Sequence, residues 1–415
     1  MERLLSLFGL FTMIFIAWAM SSHKKRIPWR IVGGGLMLQF VFALLILRTG
    51  PGQATFEWMG EFFKQILSYV DEGAAFMFDM HPRPGDAELP PQYSLWRTFA
   101  FGVLPTVIFF SSLMSVLYHV GVMQKVVQFF AWIMQKTLGT SGAESLSAAA
   151  NIFVGQTEAP LVIRPYVNDM TLSELNAVMV GGFATIAGGV LAAYVAMGVD
   201  AGHLITASVI SAPAALLIAK VMQPETEHSK TKGKVELEVE KTSINVVEAA
   251  AGGASDGMKL ALNIGAMLIA FVALVAMGNA IFAWAGGLFG FEGAAAWSMQ
   301  RTLGLVFAPL AWVMGIPWSE CTLAGEILGT KTVLNEFVAF ADLATRADDF
   351  SERSFTILTY ALAGFANFSS IGMQIGGIGG IAPKRRSDLA RLGLRAMIGG
   401  TLAAFMTACV AGLLL

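Results

Sequence analysis

Charged residues are scarce in this chain. Only 13% of its 415 residues are Asp, Glu, Lys or Arg, against about 25% in a soluble domain. That shortage excludes an ordinary water-facing surface. The net charge of −2 leaves no basic footprint for nucleic acid. Cysteine is nearly absent: Cys321 and Cys409 stand alone in apolar runs, which excludes a disulfide framework and any zinc spacing. The five histidines, His23, His81, His119, His203 and His228, are scattered and form no ligand cluster. No His-Glu-x-x-His and no pair of aspartates in an apolar run occurs, so neither motif favours an intramembrane enzyme. The apolar run continues through Trp18 to Met20. The apolar N-terminus therefore reads as a first span, not a removed signal.

What is abundant is hydrophobic, 55% of the chain, as expected of an all-α polytopic membrane protein. A span needs about 20 mostly apolar residues. Eight candidates fall at 4–20, 31–47, 95–120, 172–197, 203–222, 259–284, 355–381 and 389–415. Between the second and third, Phe56, Met59, Phe62, Phe63, Ile66, Leu67 and Val70 recur at helical spacing against Glu57, Glu61, Lys64, Asp71 and Glu72. That is an amphipathic helix lying on the membrane or along a partner subunit. The acidic, proline-rich 80–91 reads as a surface loop. Residues 123–138 and 296–315 are further amphipathic, interfacial segments.

Two stretches break the apolar pattern. In 141–169, Gly155-Gln156-Thr157-Glu158-Ala159-Pro160 sets an amide, a hydroxyl and a carboxylate between a glycine and a proline. Glycine frees the backbone, and proline removes a donor and stops a helix. At membrane depth such a break survives only where it is buried in protein or lines a cavity. The stretch reads as the tip of a re-entrant hairpin. A second hairpin, 317–344, contains Gly329-Thr330-Lys331-Thr332-Val333-Leu334-Asn335-Glu336-Phe337. Spans 172–197 and 355–381 are themselves broken, at 181–189 and 364–370.

These features repeat. Residues 95–222 run span, interfacial helix, hairpin, broken span, span, and 259–415 run the same. Gly182-Phe183-Ala184-Thr185-Ile186 answers Gly364-Phe365-Ala366-Asn367-Phe368, and Gly155-Gln156-Thr157 answers Gly329-Thr330-Lys331. Each half crosses three times if its hairpin re-enters, so the second copy is inverted, a secondary-transporter signature. The expected organisation is an N-terminal scaffold with the interfacial helix (1–94), a first repeat with hairpin 1 (95–222), a charged cytoplasmic linker (223–258) and a second repeat with hairpin 2 (259–415). The linker composition reads as a solvated loop without a function of its own. Lys24-Lys25-Arg26, the linker lysines and Lys384-Arg385-Arg386 then share one side, and the acidic 51–91 segment takes the other. The positive-inside rule puts both termini outside.

A charge at a helix centre costs roughly 2.5–3.5 kcal/mol on insertion scales, so Glu158 and Glu336 need a reason. Either they cap helices or pair with Arg164 or Lys331, or they belong to a ligand site. Gln156, Thr157 and Glu158 together suit the edge of a nucleobase amide. Glu336, Asn367 and Ser370 suit sugar hydroxyls, and Val190 and Phe365 offer apolar or stacking contact. With no arginine cluster, the ligand is neutral, polar and flat. Asn151, the carbonyl of Val154, and Thr185 with Ile186 are neutral oxygen ligands that suit Na⁺ if backbone breaks bring them together. The alternative is that Asn151 caps its helix and Thr185 bonds back along its own. Gly33-Gly34-Gly35 and Gly372, Gly376 and Gly380 read as positions of close helix packing.

Over essentially its whole length the chain resembles the bacterial concentrative nucleoside transporters. The resemblance rests on Gly155-Gln156-Thr157-Glu158-Ala159-Pro160-Leu161, Leu334-Asn335-Glu336-Phe337-Val338-Ala339 and Gly364-Phe365-Ala366-Asn367-Phe368-Ser369-Ser370. It implies a multi-pass homotrimer of the inner membrane that imports a nucleoside such as uridine with a coupling cation and moves a transport part like an elevator. It implies that the base meets Gln156, Thr157, Glu158, Val190 and Phe365, and the ribose Glu336, Asn367 and Ser370. It implies Na⁺ at Asn151, Val154, Thr185 and Ile186, and no cofactor. Some bacterial members are proton-coupled, so proton symport is the alternative; a channel or an enzyme is remote.

Overall fold

A computed structural model describes residues 2–78, 99–231, 243–291 and 296–415. The expected loop at 80–91, His81, the start of the third span and the middle of the linker lie outside the described residues. Among those described there are sixteen α-helices and no strand. Six helical stretches are long and apolar enough to cross a membrane by length and composition. Of the other two expected spans, 259–284 falls inside one long helix and 355–381 is split into two short ones.

The first half comprises α1 (Glu2–Ala19), α2 (Trp29–Arg48), α3 (Gly50–Phe78), α4 (Leu104–Val120), α5 (Val122–Leu138), α6 (Gly142–Ala150), α7 (Leu172–Ala184), α8 (Gly188–Ala196) and α9 (Ala201–Met222). The second comprises α10 (Val246–Gly287), α11 (Met299–Val313), α12 (Trp318–Val333), α13 (Glu336–Thr345), α14 (Glu352–Leu362), α15 (Phe368–Ile381) and α16 (Arg386–Leu414). Helices α9 and α16 form the centre, their apolar windows 94% and 83% buried, whereas α1 and α2 are only 28% buried. Leu4, Phe8, Phe11 and Phe15 of α1 and Leu262, Ile269, Met277 and Trp284 of α10 are exposed, an apolar periphery that fits lipid or another protein surface.

Both hairpins re-enter. Helix α6 has nine residues, roughly 14 Å at ~1.5 Å per residue, too short for a hydrocarbon core of about 30 Å. The chain turns at 151–158 and returns as a 3-10 run over Ala159–Asp169. The two ends of this excursion sit together: Gly142 N donates to Thr231 O at 3.0 Å, and Lys230 reaches Asp169 at 2.9 Å. That exposed lysine, by hydrogen bond and charge, holds the Asp169 carboxyl below its ordinary range. In hairpin 2, α12 and α13 turn at Leu334-Asn335, and Ser351 Oγ, beyond the return, donates to Glu320 Oε2 at 3.3 Å.

The bases of the hairpins lie at opposite ends of α1. At its start, Glu2 pairs with Arg353 at 3.3 Å, and Ser6 Oγ donates to Met314 O at 2.8 Å. Its end is tied to hairpin 1's side, where Arg395 donates to Met20 O and to Met222 O. The 18 residues between span roughly 27 Å at ~1.5 Å each, close to one bilayer core. The halves are therefore inverted. Arg3 donates to Leu415 O at 2.5 Å, so the two termini share hairpin 2's side.

Several expectations need correcting. The repeat pairing of Gly155-Gln156-Thr157 with Gly329-Thr330-Lys331 fails, because the latter lie inside α12. The counterpart of the first tip is Leu334-Asn335-Glu336, where hairpin 2 turns. The linker is not a free loop throughout. Helix α10 begins at Val246, inside the expected 223–258 segment, and runs for 42 residues. Residues 223–231 dock on hairpin 1's base: Ser229 and Thr231 donate to Glu174 Oε1 at 2.6 and 2.5 Å, and Glu225 accepts from Thr171 at 2.8 Å. The base is itself closed by two capping boxes, Ser141 with Glu144 and Thr171 with Glu174, and the docked residues bond the second. Lys220 is buried against Glu144 at 2.6 Å. A cavity of about 330 Å³ beside this pair is lined by Arg26, Glu225, Glu227 and His228 among others and holds none of the residues singled out from the repeat.

Methyl groups at Gly372, Gly376 and Gly380 would meet nothing within 4 Å, so these are not packing positions among the described residues. Gly34 and Gly35 are, at 3.1 Å from Leu138 and 2.9 Å from Leu217, while Gly33 faces open space. Helix α3 runs longer than the expected amphipathic stretch and packs Ile66 against Phe110 and Ala192 of its own chain. Trp58 and Tyr69 face outward.

Candidate functional site

The two broken spans meet at the centre. Helix α7 stops at Ala184 and α8 starts at Gly188; α14 stops at Leu362 and α15 starts at Phe368. Phe365 N donates to Thr185 O at 3.3 Å across the two breaks. A methyl on Gly364 would come within 2.8 Å of Phe183 O, so only glycine lets the strands touch. Unwound backbone at this depth leaves carbonyls and amides free for a ligand.

Both hairpin tips point at this crossing, and a cavity of about 100 Å³ lies between them. All eight residues named for a ligand line it: Gln156, Thr157, Glu158, Val190, Glu336, Phe365, Asn367 and Ser370. Gly155 opens the first tip for want of space, not for its backbone angle. Its φ is not in the left-handed region, but a methyl there would overlap Glu158 Oε2 and approach Ala187. Thr157 Oγ1 donates to Glu158 Oε1 at 2.9 Å. Gln156 Nε2 donates to Ser370 Oγ at 3.0 Å, joining hairpin 1 to α15.

Glu336 is the first residue of α13, capped by Asn335, whose Oδ1 accepts from Val338 N at 2.9 Å. A helix N-terminus favours a carboxylate. Tyr194 OH donates to its Oε1 at 3.1 Å and Asn367 Nδ2 to its Oε2 at 3.0 Å. Asn367 in turn caps α15, accepting from Ser370 N at 2.9 Å. Lys331 does not pair with this carboxylate; its Nζ donates to Ala361 O at 2.7 Å, in the last turn of α14. The carboxylate thus has two protein donors and remaining lone pairs toward the cavity.

The residues named for an ion gather on the other side of the first break. Asn151 and Thr185 both lie against Gly181: Thr185 Oγ1 donates to Gly181 O at 3.0 Å, and a methyl on Gly181 would come 3.3 Å from Asn151 Nδ2. Phe153 O accepts from Gly188 N at 3.0 Å, bringing the tip with Val154 to the break with Ile186. Asn151 also caps, donating to Ser147 O at 3.0 Å, and Thr185 bonds back along its own helix. The capping alternative therefore describes their donors. It leaves Asn151 Oδ1 buried without a partner, and Ser147 Oγ likewise. A buried oxygen with no donor is costly and is what a desolvated cation takes.

Several residues of the site carried no local signal. Tyr194 lies on the buried face of α8, its ring tilted against those of Phe337 and Phe340 at centroid distances of 4.8 and 4.5 Å. Leu260 and Ile264 of α10 close the cavity from outside the group of hairpins and broken spans. Helix α10 lies close to α4, where methyls on Gly253 and Gly257 would come within 2.6–2.7 Å of Ser111 O and Ile108 Cα.

Two opposed hairpin tips and two broken spans around one polar cavity define a membrane transporter of the inverted-repeat kind. Residues 8–80 match the family described as Na+ dependent nucleoside transporter N-terminus, 100–201 that described as nucleoside recognition, and 203–412 the Na+ dependent nucleoside transporter C-terminus. An uncharacterized transporter of Haemophilus influenzae is 48% identical, with 100% of this chain and 98% of that protein covered. Sodium/nucleoside cotransporter 1 of Mus musculus is 44% identical across 100% of this chain, and solute carrier family 28 member 3 of Eptatretus stoutii 45%. The chain spans only 64% and 61% of the length of those two animal proteins. The solved structure of CNTnw in an inward-facing substrate-bound state superposes with a TM-score of 0.91 at 43% identity, covering 100% of this chain and 98% of that one. A doubly substituted form in an outward-facing state gives 0.92. The chain belongs to the Na⁺-dependent nucleoside transporter family, whose members are transporters and not enzymes.

Proposed function

We propose that this protein imports nucleosides such as uridine across the bacterial inner membrane by Na⁺ symport, as a homotrimer with both termini periplasmic. The observation that carries this reading is the single cavity where both hairpin tips and both breaks converge. Gln156, Thr157 and Glu158 receive the base, with Val190 and Phe365 against its faces. Glu336, Asn367 and Ser370 receive the ribose hydroxyls. The orphaned Asn151 Oδ1, with Thr185 and the carbonyls of Val154 and Ile186, receives Na⁺. Ion and substrate then share hairpin 1, so each stabilises the tip conformation the other needs, a reciprocal coupling.

At about 100 Å³ the cavity is below the ~300–1,000 Å³ usual for ligand pockets. Loading a nucleoside requires its walls to part. The reading includes an elevator motion of the hairpins and broken spans past α4 and α10, whose Leu260 and Ile264 would then form the static wall of the cavity. Proton symport is the second reading, for which the two cavity carboxylates, Glu158 and Glu336, are the relevant groups.

The test is labelled uridine uptake into proteoliposomes under an inward Na⁺ gradient, a pH gradient, or neither. Uptake should track Na⁺. Uptake that follows only the pH gradient overturns the ion assignment, and none under any gradient overturns the substrate. Trans-stimulation by internal unlabelled uridine separates a carrier from a channel, which lacks it.

A further inference from the structure

Gln374 is fully buried on α15 and lies behind the cavity, not on its lining. Its Nε2 stands 3.1 Å from Met179 O on α7 and 3.0 Å from Gln156 Oε1 on the hairpin 1 tip. Its own Oε1 is buried without a partner. A methyl on Gly182 would come within 2.8 Å of Gln374 Nε2 and 2.9 Å of Gln156 Cβ, so neither side chain has room to swing away on that side.

The direction of these bonds follows from chemistry alone. A main-chain carbonyl only accepts, so the Gln374 atom facing Met179 O must be its NH₂. That same NH₂ faces Gln156, so the Gln156 atom opposite must be its carbonyl oxygen. The Gln156 NH₂ is then turned the other way, toward Ser370 Oγ at 3.0 Å and the edge of the cavity, with Met373 Sδ at 3.7 Å. Turning over the Gln374 amide would set oxygen against oxygen, and turning over the Gln156 amide would set NH₂ against NH₂. The unpaired Gln374 Oε1 is what this arrangement costs, since a buried unsatisfied acceptor is expensive.

We propose that Gln374 is a positioning residue that locks the Gln156 amide with its NH₂ toward the substrate. Gln156, which on its own could donate or accept, is thereby a donor, and the base edge it reads must present an acceptor, a carbonyl oxygen. This rests on the reading of the cavity as a nucleoside site.

The test compares uridine with 2-thiouridine and 4-thiouridine, in which sulfur, a weaker acceptor, replaces one carbonyl oxygen at a time. In the parent protein one of the two should show a KM for uptake raised about fivefold, the worth of roughly one hydrogen bond. In Gln374→Met that difference should shrink to near unity. In a Gln156→Ala background it should be gone already, and adding Gln374→Met should change nothing, because residues acting through one another are not additive. The lock is overturned if neither analogue differs from uridine in the parent, if the difference survives Gln374→Met, or if Gln374→Met acts equally without Gln156. If Gln374→Met does not fold, Gln156→Glu, which offers only acceptors, must still weaken uridine more than the sensitive thio analogue. A parent that takes up none of the three overturns the nucleoside reading itself, and the lock with it.

Discussion

Replacing Glu336 with glutamine changes one atom and should remove most of the transport. The carboxylate accepts from Tyr194 OH at 3.1 Å and Asn367 Nδ2 at 3.0 Å. A glutamine has one oxygen and one NH₂, so it can satisfy only one of those donors and sets its own NH₂ against the other. A hydrogen bond to an ionised acceptor contributes about 1.5–3 kcal/mol, and the charge at the α13 N-terminus about 0.3–1 kcal/mol more. The substrate hydroxyls also lose an ionised acceptor. The acceptor lost to the substrate, at about 1.5–3 kcal/mol, and the helix-end charge together amount to about 2–4 kcal/mol, so binding should fall roughly 30- to 900-fold. The fold itself should persist, since glutamine keeps the shape of the side chain and one of the two hydrogen bonds, and an unmatched donor costs about 1–3 kcal/mol. The assay is initial-rate uridine uptake below saturation in proteoliposomes, with elution profile and Tm in detergent as controls for assembly. A variant that assembles normally and keeps uptake within about threefold, under ~0.7 kcal/mol, refutes the role given to this carboxylate.

Asn151→Ala removes the orphaned oxygen and should raise the Na⁺ concentration for half-maximal uptake about tenfold; an unchanged Na⁺ dependence removes Asn151 from the ion site. Gly155→Ala would drive a methyl into Glu158. Overpacking costs about 1–3 kcal/mol, so its uridine KM should rise at least fivefold, whereas Gly372→Ala, facing open space, should leave uptake unaltered. Lys220→Met strands the buried Glu144, a loss of about 3–5 kcal/mol to be read as a lowered Tm. Combining it with Glu144→Gln should recover most of that loss, and a double variant no more stable than the single one would show that the pair does not hold hairpin 1's base.

Where sequence reasoning went astray, the cause was geometric. Gly329-Thr330-Lys331 resembles the first tip in composition, but a glycine in a helix and a glycine at a turn look alike until the chain is folded. The linker's polar residues read as solvated, yet Glu225 accepts from Thr171, and Ser229 and Thr231 donate to Glu174, partners 54 to 57 residues earlier in the chain. Gly372, Gly376 and Gly380 share the spacing of a packing face, yet among the described residues nothing packs there.

The amino-acid sequence alone determined that the chain lives in a membrane, where its spans break, and which polar side chains stand at the breaks. Those are local properties: apolar runs set spans, and glycine, proline and isolated polar groups at depth mark places a helix cannot continue. Tertiary structure decided what each break faces. It brought Tyr194 to Glu336, set Leu260 of a distant helix against the cavity, and left Asn151 with one oxygen unpaired. It also gave a direction to the Gln156 amide through Gln374 and Met179. Donor and acceptor partnerships between residues some 200 positions apart, as in Gln374 and Gln156 at a separation of 218, leave no periodicity to read. They exist only once inverted halves close on each other.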